Sequence, residues 1–151
     1  VDGAPAEGGA RVTAELMAEL AVFFALVAVG SAAGGMARFL ISGIVARAVG
    51  ETFPWGTMVV NVTGAFSIGV LGGLLQGGNL DNLPDLWPVA VTGFLGSYTT
   101  VSSFSLQTLA LVRDGEWRRA AGNVVLSLAL CLAAVAGGGL VAHAALGAGA
   151  P

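Results

Sequence analysis

"GFLGSYTTVSSF", residues 93–104, lies in a run without a charged residue from Leu86 to Val112, yet it is crowded with glycine, serine and threonine. A turn at Trp87 and Pro88 starts a helix that Gly93, Gly96 and the poor helix formers Ser97, Thr99 and Thr100 interrupt halfway. The pattern predicts a broken helix. Breaking a helix at membrane depth frees backbone amides and carbonyls, which is tolerable only where protein, water or an ion satisfies them. Discontinuous helices often use such carbonyls to coordinate sodium. A kinked packing helix whose serines bond back onto their own turn fits the same residues.

The rest of the chain supplies the membrane. Of 151 residues, 56% are hydrophobic and only 10% charged, with a mean hydropathy of +0.86, far from the usual quarter of charged residues in soluble domains. No charge occurs from Thr52 to Leu80, from Leu86 to Val112, or from Ala120 onward apart from the neutral His143. Together with Leu20 to Ala37, these gaps are long enough for helices at about 1.5 Å per residue to cross about 30 Å of hydrocarbon. Four spans are expected, near 20–47, 56–77, 87–111 and 120–146. A closed barrel would need period-two alternation, which these continuously apolar runs lack. The fold class is therefore all-α integral membrane, with a broken third helix.

Residues 20–147 form one channel-sized transmembrane domain, flanked by a lead-in at 1–19, amphipathic or disordered, and a short tail at 148–151. Each connection carries a tryptophan: "GETFPWG" has Trp55, "GGNLDNLPDLWP" has Trp87 and "RDGEWRR" has Trp117. Those positions suit the aromatic belts at the two membrane surfaces. Cys131 stands alone and forms no disulfide or metal cluster within one chain. A net charge of −3 gives no reason to expect nucleic acid as a partner.

Polar chemistry inside the spans is confined to a few places. Gly30 and Gly34 invite close approach of another helix. Arg38, deep in the first span, must face protein, water or an interface, or snorkel to the headgroups. Thr57, Asn61, Gly64 and Ile68 recur on one face of the second span, where the Asn61 amide serves either an anion or a neighbouring helix. Beyond the break, Thr100, Ser103 and Gln107 form a hydroxyl and amide stripe beside Phe104 and Thr108. In the last span Asn123, Ser127 and Cys131 recur every four residues.

Taken together, "GGMARF" at 34–39, "PWGTMVVNVTGAFSIG" at 54–69 and "GFLGSYTTVSSFSLQT" at 93–108 resemble the fluoride channels of the Fluc (CrcB) type, in the order and four-span layout of that family. The resemblance covers nearly all of the chain beyond the lead-in. It implies a fluoride-selective channel in the plasma membrane, made of two subunits in antiparallel orientation with two polar pathways along their interface. It also implies a structural Na⁺ at the dimer centre, held by the backbone carbonyls of Gly96 and Thr99. Asn61 would match the pore asparagine and Phe104 the second ring of an aromatic pair. Ser103, Thr100, Arg38, Asn123 and Ser127 would complete the fluoride pathway. Neutral donors suit a small, strongly hydrated anion that a desolvated lysine would trap, and the chain contains no lysine.

Two positions depart from the family pattern. Val101 stands where the first ring is expected, and Gln107 where a glutamate is common. They leave as alternatives a non-conducting subunit or one that depends on a homologous partner in a heterodimeric fluoride channel; a small dual-topology multidrug transporter is a separate alternative of similar size. The transporter would need an acid inside the membrane, whereas Glu15 and Glu19 precede the first span. An enzyme is not expected, because the single histidine, His143, has no candidate nucleophile or metal set around it. Arginines are also uneven. Arg47, Arg113, Arg118 and Arg119 fall on the side of the first and third loops, opposite Arg11, a bias that favours both termini outside. Asp114 and Glu116 among those arginines moderate the bias enough to keep the homodimer as the expectation.

Overall fold

The computed structural model describes residues 4–50, 52–76 and 85–147, with side chains from residue 9. The expected end of the second span at 77 and the tail at 148–151 lie outside these residues. Among the described residues the regular structure is entirely helical: α1 (Ala4–Val49), α2 (Trp55–Gln76), α3 (Trp87–Leu95, continued by the turn Gly96–Tyr98), α4 (Val101–Arg113) and α5 (Trp117–Gly147). Within these elements, Gly9–Val49, α2 and α5 are each long and apolar enough to cross a membrane. The chain is an all-α, multi-pass membrane protein.

One boundary differs from the sequence expectation. The first helix, expected from residue 20, begins at Ala4, so the residues read as a lead-in continue the same helix. The third span is broken as expected, in two pieces separated by extended backbone at Thr99 (φ −76°, ψ 158°) and Thr100 (φ −153°, ψ 118°). The first piece is wound wider than an α-helix. The Gly96 amide donates to Val91, five residues back, as well as to Gly93. Pro88, which lacks an amide, stands at the start of this winding.

Helices in lipid gain little from apolar burial against one another, so their association rests on close packing. Here it rests on glycine. A Cβ on Gly30 would strike the Val89 carbonyl, one on Gly34 the Phe94 carbonyl, and one on Gly93 would lie 2.7 Å from the Val27 carbonyl. These contacts seat α1 on α3. On the other side of the bundle, α2 and α5 share the longest interface. Gly69 is pressed on the Val135 carbonyl and Gly138 on the Phe66 carbonyl, while a Cβ on Gly73 would lie 2.6 Å from that of Ala142. Between the layers sit Val60, Leu95 and Tyr98, all buried, with Ala37, Ile41, Leu71 and Phe94 packed around them.

The α4–α5 connection is short because Gly115 adopts φ 79°, a left-handed conformation open to glycine. The Glu116 amide returns to Leu111 at 2.8 Å and the Gly115 amide to Val112 at 3.1 Å, closing the end of α4 in a Schellman motif. The exposed Arg113, Arg118 and Arg119 are thereby gathered at one end of the bundle.

Glycine packing gives a two-signed test. Gly138→Ala should lower thermal stability in detergent by about 1–3 kcal/mol, because rigid backbone must move to admit the methyl group. Gly122→Ala, where nothing lies within 4 Å of the new carbon, should be neutral or stabilise by up to about 1 kcal/mol through helix propensity. Melting curves of the two variants side by side check both signs.

Candidate functional site

The break between α3 and α4 is held by one side chain. Asn61, on α2, accepts from the Thr100 amide through Oδ1 at 2.8 Å and donates to the Thr100 carbonyl through Nδ2 at 3.0 Å. The side-chain amide thus replaces the backbone partners that a continuous helix would have supplied. Three residues along α2, Gly64 leaves room for the Thr99 methyl group, which a Cβ at Gly64 would overlap. Asn61 and Gly64 together form a seat for the two extended threonines.

A second substitution of partners occurs at the start of α4. The Thr100 hydroxyl caps the helix by accepting from the Ser103 amide at 3.2 Å, and it also contacts the hydroxyls of Ser102 and Ser103 at 3.1 and 3.2 Å. In an uninterrupted α-helix the Thr100 amide would donate to Gly96 and the Ser103 amide to Thr99. Both donors are diverted, to Asn61 and to Thr100 Oγ1. The carbonyls of Gly96 and Thr99 therefore lose their ordinary helical partners at the same bend. Neutral carbonyl oxygens of this kind suit a hard cation. No group of three or more His, Cys, Asp or Glu side chains that could hold a metal occurs among the described residues.

Tyr98, which the sequence reading did not single out, braces the bend from inside. Its ring stacks on Phe94 with centroids 5.6 Å apart, and its hydroxyl lies 2.8 Å from Thr63 Oγ1. Since Thr63 already donates to the Val59 carbonyl, the tyrosine is the donor of this pair.

The remaining polar residues divide into two groups. Phe104, Thr108, Asn123 and Ser127 form a ladder between α4 and α5. Thr108 donates to the Phe104 carbonyl at 2.7 Å, Asn123 donates to Thr108 Oγ1 at 2.8 Å, and Ser127 reaches Asn123 Oδ1 at 3.5 Å. Asn123 is 2% exposed and Ser127 9%, so this track faces its own subunit. Ser103 and Gln107 instead line a cavity of about 560 Å³ with Phe39, Ser42, Thr57 and Asp114, where α1 and α4 end and α2 begins. The Gln107 Oε1 atom is buried without a hydrogen-bond partner among the described residues.

Several candidate residues are thus brought together and one is not. Asn61, Thr100 and Ser103 meet at the break, and Thr99 and Gly96 adjoin them. Phe104, Asn123 and Ser127 lie on the ladder. Arg38 is half-buried on α1; it is outside the cavity lining, and its carbonyl accepts from Ser42 at 2.7 Å. Thr63, Thr108 and Tyr98 were missed as site residues. Thr108 had a legible signal in its spacing of four from Phe104, whereas the Thr63–Tyr98 pair depends on how two helices are apposed.

Comparison with known proteins gives this arrangement its context. A family model described as CrcB-like protein, Camphor Resistance (CrcB), matches residues 25–139. The protein named fluoride-specific ion channel FluC 2 of Bradyrhizobium diazoefficiens is 62% identical over 117 residues, covering 77% of this chain and 85% of that protein. The identically named protein of Rhodopseudomonas palustris is 61% identical over 121 residues, covering 80% and 92%. A fluoride-specific ion channel FluC of Opitutus terrae is 56% identical over 111 residues, covering 72% and 83%. The chain belongs to the CrcB family.

If Asn61 holds the break, Asn61→Ala leaves two backbone groups of Thr100 without partners, at a cost of about 1–3 kcal/mol for each buried group. The thermal midpoint should fall clearly more than for Phe104→Ala, whose ring carries no such bond. Unfolding of the two variants in the same detergent checks the order; equal losses would place the support of the break elsewhere.

Proposed function

We propose that this member of the CrcB family is a subunit of a fluoride-selective ion channel. The observation that carries the reading is the identity of more than 60% to proteins named fluoride-specific ion channels, over a region that contains the whole of the broken helix. In this reading α3 and α4 together make a fourth crossing, and two copies pair in opposite orientations so that their bends meet at the centre. The arrangement at the bend supports a structural Na⁺ there. Gly96 and Thr99 would hold it through the carbonyls that Asn61 and the Thr100 cap leave without helical donors, and the ion would supply a positive charge that joins the two bends.

Fluoride must exchange water for other donors. Asn61 retains a second amide hydrogen beyond the one given to Thr100, and the hydroxyls of Thr100 and Ser103 stand beside it. The edge of the Phe104 ring carries the positive end of the aromatic quadrupole. The cavity lined by Ser103, Gln107 and Thr57 gives these groups an aqueous approach from the end of the bundle, while Asn123, supported by Ser127, holds α5 against α4 through Thr108. Arg38, half-buried on α1 but outside the cavity lining, would act on the anion only at longer range, raising its local concentration rather than binding it. Apart from Arg38 these donors are neutral amides, hydroxyls and a ring edge, so the pathway draws an anion without trapping it.

A second reading has one observation in its favour. Val101, where the family resemblance expects a ring, is 77% exposed on its own subunit, so an oppositely oriented homologous subunit could supply the ring against it. Reconstitution decides between the two. Liposomes holding this chain alone should release fluoride and retain chloride, and Phe104→Ala should cut the fluoride rate at least tenfold while leaving the dimer intact. Equal fluoride and chloride efflux would overturn the channel reading, and efflux only after addition of a homologous chain would establish the second one.

The sodium site has its own readout. Purification with N-methylglucamine in place of Na⁺ should shift the protein from dimer to monomer in light scattering and abolish fluoride efflux, with Na⁺ restoring both. A dimer equally stable in both buffers would remove the ion from the account.

A further inference from the structure

We propose that the N-terminal arm of α1, residues 9–24, docks on the arginine-bearing α4–α5 turn of a second copy of this chain lying in the opposite orientation. The proposal rests on the antiparallel pairing proposed above. It concerns a segment outside the stretch matched by the family model, which begins at residue 25.

The register of α1 shows how far the arm projects. Gly30 lies against Val89, close to Trp87 at one end of the bundle, and Ser42 lies against Gly56, beside Trp55 at the other. The part of α1 between those levels crosses the bundle. The 46 residues of α1 amount to about 69 Å of helix against about 30 Å of hydrocarbon. Upstream of Leu26 every described residue from 9 to 25 is exposed, so the arm has no seat on its own subunit. It nevertheless carries an apolar stripe, Val12, Leu16, Leu20 and Phe23, at spacings of four, four and three, with exposures of 65, 50, 40 and 40%. Glu15 and Glu19 stand beside that stripe, one turn apart.

Charge selects the occupant. With α3 and α4 as one crossing, the arm, the end of α2, the start of α3 and the end of α5 lie on one side, and the α1–α2 and α4–α5 turns on the other. Among the described residues the arm's side carries Glu15, Glu19 and Asp85 against Arg11. Among the described residues the opposite side carries Arg47, Arg113, Arg118 and Arg119 against Asp114 and Glu116. Arg119 pairs with Glu116 at 3.5 Å within its own turn, while Arg113 and Arg118 are exposed. Inverting a second copy brings its arginine turn to the side of the first copy's arm, and does so again at the other end. Parallel copies would set arm beside arm, acid against acid. An anionic lipid surface would repel Glu15 and Glu19 in the same way.

Cross-linking tests the contact. With Cys131→Ser as background, Ala18→Cys on the arm and Ala121→Cys beside the turn leave every charge in place. In liposomes a flexible bis-maleimide should link the doubly substituted chain into dimers, and neither single variant should link. Adding Glu15→Gln and Glu19→Gln should lower the yield roughly threefold to tenfold, as loss of exposed ion pairs implies, with fluoride efflux unchanged. Linking by Ala18→Cys alone would show arm against arm and overturn the proposal. A dimer that conducts fluoride but does not link in the double variant would overturn the arm contact while leaving the channel reading intact. Absence of both dimer and efflux would overturn the pairing and the arm contact with it.

Discussion

A single side-chain amide exchanging two hydrogen bonds with one backbone unit holds the centre of this protein. Extended backbone in an apolar interior is unstable unless its polar groups are satisfied, and Asn61 satisfies both groups of Thr100 at once. Because the Thr100 amide is committed to Asn61, it cannot close the helical turn onto Gly96. Because Thr100 is extended, its hydroxyl is free to cap α4 through Ser103, which in turn relieves Thr99 of its helical donor. The position of the break, the direction of α4 and the two liberated carbonyls all follow from the amide on the neighbouring helix.

That amide can reach the break only because the helices approach closely. Gly64 admits the Thr99 methyl group, Gly30, Gly34 and Gly93 bring α1 and α3 backbone to backbone, and Gly69 and Gly138 do the same for α2 and α5. In lipid, where apolar side chains gain little by leaving one another's company, such contacts supply dispersion at short range without the help of water. The wide winding of α3 belongs to the same economy of space, since it delivers Gly93 to α1 and Tyr98 to Thr63 within a short segment. Glycine is thus structural here for its lack of a side chain, and for its backbone freedom only at turns such as Gly115.

Much of this was legible beforehand, for identifiable reasons. Charge gaps marked the long helices, and tryptophans marked their ends. The weak helix formers at 96–100 located the break to within a residue or two. Asn61 was legible as a polar residue in an apolar helix, but its partner was not, because nothing in the one-dimensional spacing says which helix faces α2 at that level. For the same reason Tyr98 passed unnoticed: a tyrosine in an apolar run looks like packing until Thr63 is placed opposite it. Asn123 and Ser127 stood out by their spacing of four, whereas the bond from Asn123 to Thr108 required the α4–α5 turn. The first span was read from the charge gap that opens at Leu20, and a charge gap marks where a helix enters apolar surroundings rather than where its winding begins, so the helical start at Ala4 was not legible from it.

The distribution of charge now has a physical sense. A conduction path for a small hydrated anion works best with neutral donors, so fixed charge is excluded from the interior apart from Arg38 and collects at the two ends of the bundle. Once collected there it is asymmetric, acidic beside the arm and basic beside the α4–α5 turn. Exposed ion pairs are worth only about 0.2–1 kcal/mol each, too little to determine whether two copies associate. They are enough to bias how two copies face, since electrostatic complementarity contributes more to orientation than to affinity. In the proposed pairing the centre, with its liberated carbonyls, supplies the strength of association, and the ends supply its sense. A parallel pair would lose at both ends, and an antiparallel pair gains at both.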